Sequence, residues 1–247
     1  MEIPGTGPDS LLRMDGLAAT WQATSDGRGT FLACYRVMTT SMINAADGFT
    51  DPVWVDHLLV RFADHYFTAL DAYDLDPATA PATWRIAHDS CQQECWDLQR
   101  LLLGINAHIN VDLPLTVEEL LAPEWATLSD AERDSRRRDY LSVNDIISAT
   151  VDAVQDTVVE PAVPFLALVD VLFGPADEFV MSHLLGRWRE RAWVNAVALM
   201  EAPDAETRAE VFARMEEDAV ATAHGILLNH GRADWDADRT NDRRSHG

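Results

Sequence analysis

The chain has 247 residues, enough for one large domain or two small ones, and its 47% hydrophobic content with eight Trp is far from a disordered composition. Its net charge is −22 and all nineteen basic residues are Arg, which excludes a lysine Schiff base or P-loop lysine and argues against nucleic acid and anionic membranes as partners. The expected partner is a small-molecule substrate.

Helical periodicity runs along almost the whole sequence. It predicts helices over 9–23, 30–46, 52–73, 81–111, 130–159, 163–173, 176–202 and 205–229. Breakers separate them: Asp26-Gly27, Asp47-Gly48, Asp76-Pro77, Pro114, Pro161, Pro164, Gly174-Pro175 and Pro203-Asp204. Asp51-Pro52 places a cap before a first-turn proline, and Asp204 precedes a helix with Glu206 in its first turn. No alternating strand pattern and no fixed repeat is visible. The expected fold is all-α: a single-domain bundle of about eight helices over 1–231, built around a long central helix 81–111. A polar tail, 232–247, follows it. The first residues have neither a basic n-region nor an apolar h-region, and no apolar run approaches a membrane span. With only Cys34, Cys91 and Cys95, the expectation is a cytoplasmic protein with reduced thiols.

Chemistry concentrates in residues 101–115, LLLGINAHINVDLPL. There Asn106, His108, Asn110 and Asp112 interrupt an apolar run. Apolar flanks imply burial, and buried polar side chains need partners. His108 and Asp112 stand at i, i+4, about 6 Å apart at Cβ on a helix, usable as a pair of metal ligands, as an acid–base pair, or as a buried hydrogen-bonded pair that locks two helices. His57, or His65, on the helix 52–73 would be a third ligand for a divalent ion, Zn or Mg. Asn106 and Asn110 are candidate substrate-binding residues, alongside Arg187, Arg191 and Trp193 on the helix 176–202. There Arg187, Arg189 and Arg191 sit beside Trp188 and Trp193, an arrangement suited either to cation–π stacking or to an anion clamp. Asn144, Ser148 and Asp152 form an oxygen-rich stripe that would suit Mg²⁺, with a spacing similar to the second metal motif of class I terpene cyclases. His88, Cys91 and Cys95 share one face of the expected central helix and could hold a soft metal.

The run Gly104-Ile-Asn106-Ala-His108-Ile-Asn110-Val-Asp112-Leu-Pro114 resembles the signature G-x-N-A-H-I-N-x-D-L-P of a family of uncharacterised helical proteins from actinomycetes. The resemblance implies an all-α fold and carries no activity. More distantly, Gly104-x-x-x-His108-x-x-x-Asp112 is similar to the G-x-x-x-H-x-x-x-D helix of zinc-dependent phospholipase C and P1-type nucleases, where that His and Asp bind zinc. The chain departs from that pattern in having no His between 108 and 183, so the resemblance implies at most one metal position.

Three functional expectations follow. The first is a metal-assisted hydrolase of phosphoesters or esters, with His108, Asp112 and His57 holding the ion. The second is a metal-free or Mg-dependent cyclase or isomerase of small molecules (terpenoid or polyketide-like) with an aromatic pocket. The third is a non-catalytic binding protein whose polar cluster fixes packing.

Overall fold

Two of the helices begin where the sequence supplies a side-chain acceptor for their free N–H groups. Thr6 and Asp9 form a reciprocal capping box at the start of α1 (Gly7–Thr24). Asp51 accepts the amide of Trp54 at 3.0 Å at the start of α3 (Pro52–Leu75), with Pro52 in the first turn. Between these lies α2 (Gly29–Asn44). In this computed structural model residues 5–156 and 175–228 are described. The expected helix 163–173, Pro161, Pro164, His230 and the tail from 232 lie outside the described residues, as does the Asp152 side chain. The chain is all-α, a single helical domain, and no strand occurs among the described residues.

The expected helix 81–111 is two helices. The first, α4 (Ala82–Ser90), ends in a turn at Cys91. The second, α5 (Asp97–Ala107), starts after Trp96, whose amide donates to the Gln99 side chain at 3.2 Å. Gln99 in turn donates to the Ile226 carbonyl at 2.8 Å. Conversely, Pro114 does not end the helix. One π-helical turn, His108–Asp112, links α5 directly to α6 (Leu113–Trp125). Pro114 has no N–H to give to the carbonyl four residues back. The ladder here already runs one residue long, with Leu113 N–H donating to the His108 carbonyl, so the proline sits where the helix has been widened. The central element is therefore the continuous run 97–125, with the polar cluster at its middle.

The remaining elements are α7 (Asp130–Asp156), α8 (Pro175–Met200) and α9 (Ala205–Leu228). They complete a bundle in which α2, α3, α4, α8 and α9 surround the central run. One core cluster holds Phe31, Tyr35, Tyr66, Trp84, Leu103 and Leu185. A second holds Trp54, Leu58, Val117, Tyr140 and Trp193. Asp139 of α7 is buried and accepts the amides of Thr50 at 2.8 Å and Asp51 at 2.9 Å, tying the start of α3 to α7. Gly104 marks a close approach: a Cβ there would lie 2.5 Å from Cγ of Phe31, so α2 meets α5 at this residue. Among the described residues, no helix is long and apolar enough to cross a membrane.

Candidate functional site

The π turn points its polar residues in two directions. His108 and Asp112, each 3% exposed, face α2, α3 and α4. Asn106 and Asn110 face α9 and its surroundings.

On the first side, Asp112 Oδ2 accepts the indole N–H of Trp84 at 3.0 Å and lies 2.8 Å from Nδ1 of His108. Trp84 is a donor only, and it is 1% exposed. With both groups converging on one carboxylate oxygen, the consistent arrangement has Nδ1 carrying the proton and donating it to Asp112. The other ring nitrogen, Nε2, is then a bare lone pair. It is buried and has no hydrogen-bond partner among the described residues. Burial holds the imidazole below the ordinary histidine range, against the opposing pull of the Asp112 hydrogen bond and charge. The ring is neutral at pH 7.

Aromatic rings fix that imidazole in place. Phe62 stacks on it at 3.5 Å between centroids with an interplanar angle of 8°. Tyr35 meets it edge-on at 4.4 Å, and Phe31 and Trp84 stand further out at 5.7 and 6.0 Å. His108, Tyr35, Phe62 and Phe31 line an apolar pocket with about 830 Å³ of empty space, its mouth included. The Tyr35 hydroxyl is also buried and, among the described residues, has no hydrogen-bond partner. Burial first, and the Asp112 charge second, push its phenol well above the ordinary tyrosine value. The pocket thus holds an unprotonated base and a phenol that stays protonated.

Arg189 of α8 lines the same pocket. It is 4% exposed, lies over the Tyr140 ring at 4.6 Å, and donates through Nε to Asn144 Oδ1 at 2.7 Å and through Nη2 to the Tyr140 carbonyl at 2.8 Å. Its neighbours Arg187 and Arg191 are exposed, and neither lines this pocket. Helical arithmetic contains the signal: Leu185, Ala192 and Ala196 are buried, and Arg189 falls on their face, whereas positions two away on either side are rotated about 200° from it. Trp193 is also buried but belongs to the second core, against Tyr140 at 5.0 Å and Trp125 at 6.4 Å.

On the other side of the turn, Asn106 donates to the Ala219 carbonyl at 2.8 Å and accepts from Asn110 at 2.9 Å. Asn110 Oδ1 is buried, has no partner among the described residues, and borders a small crevice with Arg191, Asn195, Asp218 and Thr222. The two asparagines join the central run to α9 and do not line the His108 pocket.

Among the described residues, the expected ligand sets are not assembled. His57 is half-buried on α3 and outside the pocket lining, and His65 lies 3.3 Å from Glu119. Among the described residues, no group of three or more His, Cys, Asp or Glu stands close enough to hold a metal ion. Asn144 serves Arg189. The turn after Ser90 removes His88, Cys91 and Cys95 from a common helix face. Cys91 Sγ donates to the Ala87 carbonyl at 3.3 Å and Cys95 Sγ to the Gln99 side chain at 3.5 Å. His88 is a core residue stacked 5.3 Å from Trp84, and burial pushes its pKa down to about 4.

Tyr35, Phe62 and Trp84 escape a reading of the sequence because aromatic residues at helical spacing are indistinguishable from ordinary core. A family model, described as a family of unknown function (DUF5995), matches residues 9–229. No curated protein and no solved structure matches the chain.

Proposed function

The chain belongs to the DUF5995 family of unknown function, and from the geometry of its site we propose that it is an acid–base enzyme acting on a small, largely apolar molecule, an isomerase or cyclase. The observation that carries this is the His108 Nε2 lone pair, buried and unpartnered at the wall of an apolar pocket while Nδ1 is held by Asp112. An unsatisfied buried nitrogen is destabilising unless something uses it. A substrate proton is what fits.

In this reading His108 Nε2 removes a proton from the bound molecule. The imidazolium that forms is stabilised by the Asp112 carboxylate, which Trp84 holds in place. Tyr35 supplies a hydrogen-bond donor, or a proton, where negative charge develops on the substrate. His108 then returns its proton to a different atom, so the net change is a rearrangement with no proton gained or lost. The aromatic walls exclude water and keep the base neutral.

Proton exchange into β-tetralone, an apolar ketone with acidic α-hydrogens, is the test. In D₂O at pH 7 the wild-type protein should accelerate α-deuteration well above buffer, and His108→Gln should abolish the acceleration. Equal exchange rates for wild type and variant would remove His108 as the base.

Metal-assisted hydrolysis is the weaker reading. An unpartnered Nε2 is also a ligand atom, but Asp112 Oδ2 is engaged by Nδ1 of the same histidine and by Trp84, and a catalytic metal takes about three protein ligands. One zinc per chain in the purified protein, lost in His108→Ala, would restore that reading.

A further inference from the structure

Among the described residues of this strongly acidic chain, Arg189 is the most deeply buried guanidinium, and no carboxylate pairs with it. The chain carries 41 Asp and Glu. The less buried Arg28, Arg61, Arg136 and Arg208 each pair with one or more of them. Arg189 has instead two neutral acceptors, Asn144 Oδ1 and the Tyr140 carbonyl, and an aromatic face. Its Nη1 has no partner among the described residues. A buried cation without a countercharge is costly to keep, and this one lines the His108 pocket. The rest of that lining is largely apolar, with Leu58, Phe62, Ile109, Val143 and Ile147 among it.

We infer that Arg189 anchors a singly charged carboxylate, and that the pocket takes an apolar monocarboxylate with its hydrocarbon body against the aromatic and aliphatic walls. This rests on reading the His108 pocket as the substrate site. One cation matches one negative charge. A dianionic head such as a phosphate monoester would leave a second charge against apolar side chains. The planar guanidinium fork suits a carboxylate, and its Nε and Nη2 bonds to Asn144 and Tyr140 hold it ready, so little side-chain freedom is lost on binding. A neutral His108 is compatible with an anion nearby; a protonated one would compete with Arg189 for it.

The test is calorimetric titration of the purified chain with octanoate, 1-octanol and octylamine, three probes with one tail and different heads. Octanoate should bind at least tenfold more tightly than 1-octanol, and octylamine should not bind. Arg189→Gln should remove the octanoate preference and Arg189→Lys should keep part of it, each variant checked for native helicity. Arg189 also braces α7 against α8, so the Gln variant can fail to fold. The wild-type comparison of the three heads then decides alone: equal binding of octanoate and octanol overturns the inference, as does a folded Arg189→Gln that retains the preference. A wild-type protein that prefers octanoate but does not accelerate β-tetralone exchange would sink the general-base reading and leave the anion site standing. Exchange without the preference would do the reverse.

Discussion

Asp112→Ala probes the site most directly, because the carboxylate serves two donors that nothing else can reach. Trp84 Nε1 and His108 Nδ1 both converge on it, from residues 1% and 3% exposed. Removing it orphans two buried donors, each costing about 1–3 kcal/mol, and leaves a small void. The expected loss is about 3–5 kcal/mol, a large part of the stability of a typical domain. The double replacement His108→Phe with Asp112→Leu behaves differently. It removes the unpartnered Nε2 and the buried carboxylate together and keeps an aromatic ring against Phe62, leaving only Trp84 Nε1 without an acceptor. Apolar replacement of a buried polar pair is often neutral or stabilising, so the double variant should be at least 2 kcal/mol more stable than Asp112→Ala. Urea denaturation at pH 7 followed by far-UV circular dichroism gives both values. A loss below about 1 kcal/mol for Asp112→Ala would refute the hydrogen-bond arrangement, and with it the tautomer on which the general-base reading depends.

Gly104→Ala should destabilise by about 1–3 kcal/mol through overpacking, since its Cβ would meet three Phe31 atoms within 2.8 Å. Phe31→Leu in the same chain should recover part of that loss, and additive losses in a double-mutant cycle would show that Phe31 is not the obstacle. Stability should fall as pH drops from 6.5 towards 4. His88 is held at about 4 in the fold against an ordinary 6.5, so above 6.5 both states are neutral, and below it the unfolded chain takes a proton that the folded one refuses. At about 1.4 kcal/mol per pH unit the loss reaches about 3 kcal/mol by pH 4. His88→Phe should flatten urea midpoints across that window, leaving the slope that His108, lowered in the same direction, supplies; an unchanged profile would show that His88 does not carry it. Asp139→Ala should cost about 1–3 kcal/mol by freeing the amides of Thr50 and Asp51, measured by urea melts with a stable variant as the contrary result.

Local chemistry alone determined most of the helices and singled out the segment that carries the candidate site. Caps such as Asp51-Pro52 and the 3.6-residue apolar period are properties of neighbouring residues, and so is the oddity of His108 and Asp112 in an apolar run. The hydrogen bond between those two, four positions apart, was legible for the same reason. Two boundaries were not. The break at 91–96 depends on Gln99 reaching α9, and the continuation through Pro114 depends on a π turn whose widened ladder the sequence does not announce. The chemistry of the site was decided by tertiary packing. Only the convergence of α2, α3 and α4 on the central run supplies Tyr35, Phe62 and Trp84, leaves Nε2 bare, and separates Asn106 and Asn110 from the pocket. Among three arginines spaced two apart, the sequence marked Arg187 and Arg191, and packing buried Arg189. Which side of α8 meets the pocket is set by contacts between residues more than forty positions apart, and the apolar spacing of Leu185, Ala192 and Ala196 is the one local trace of it.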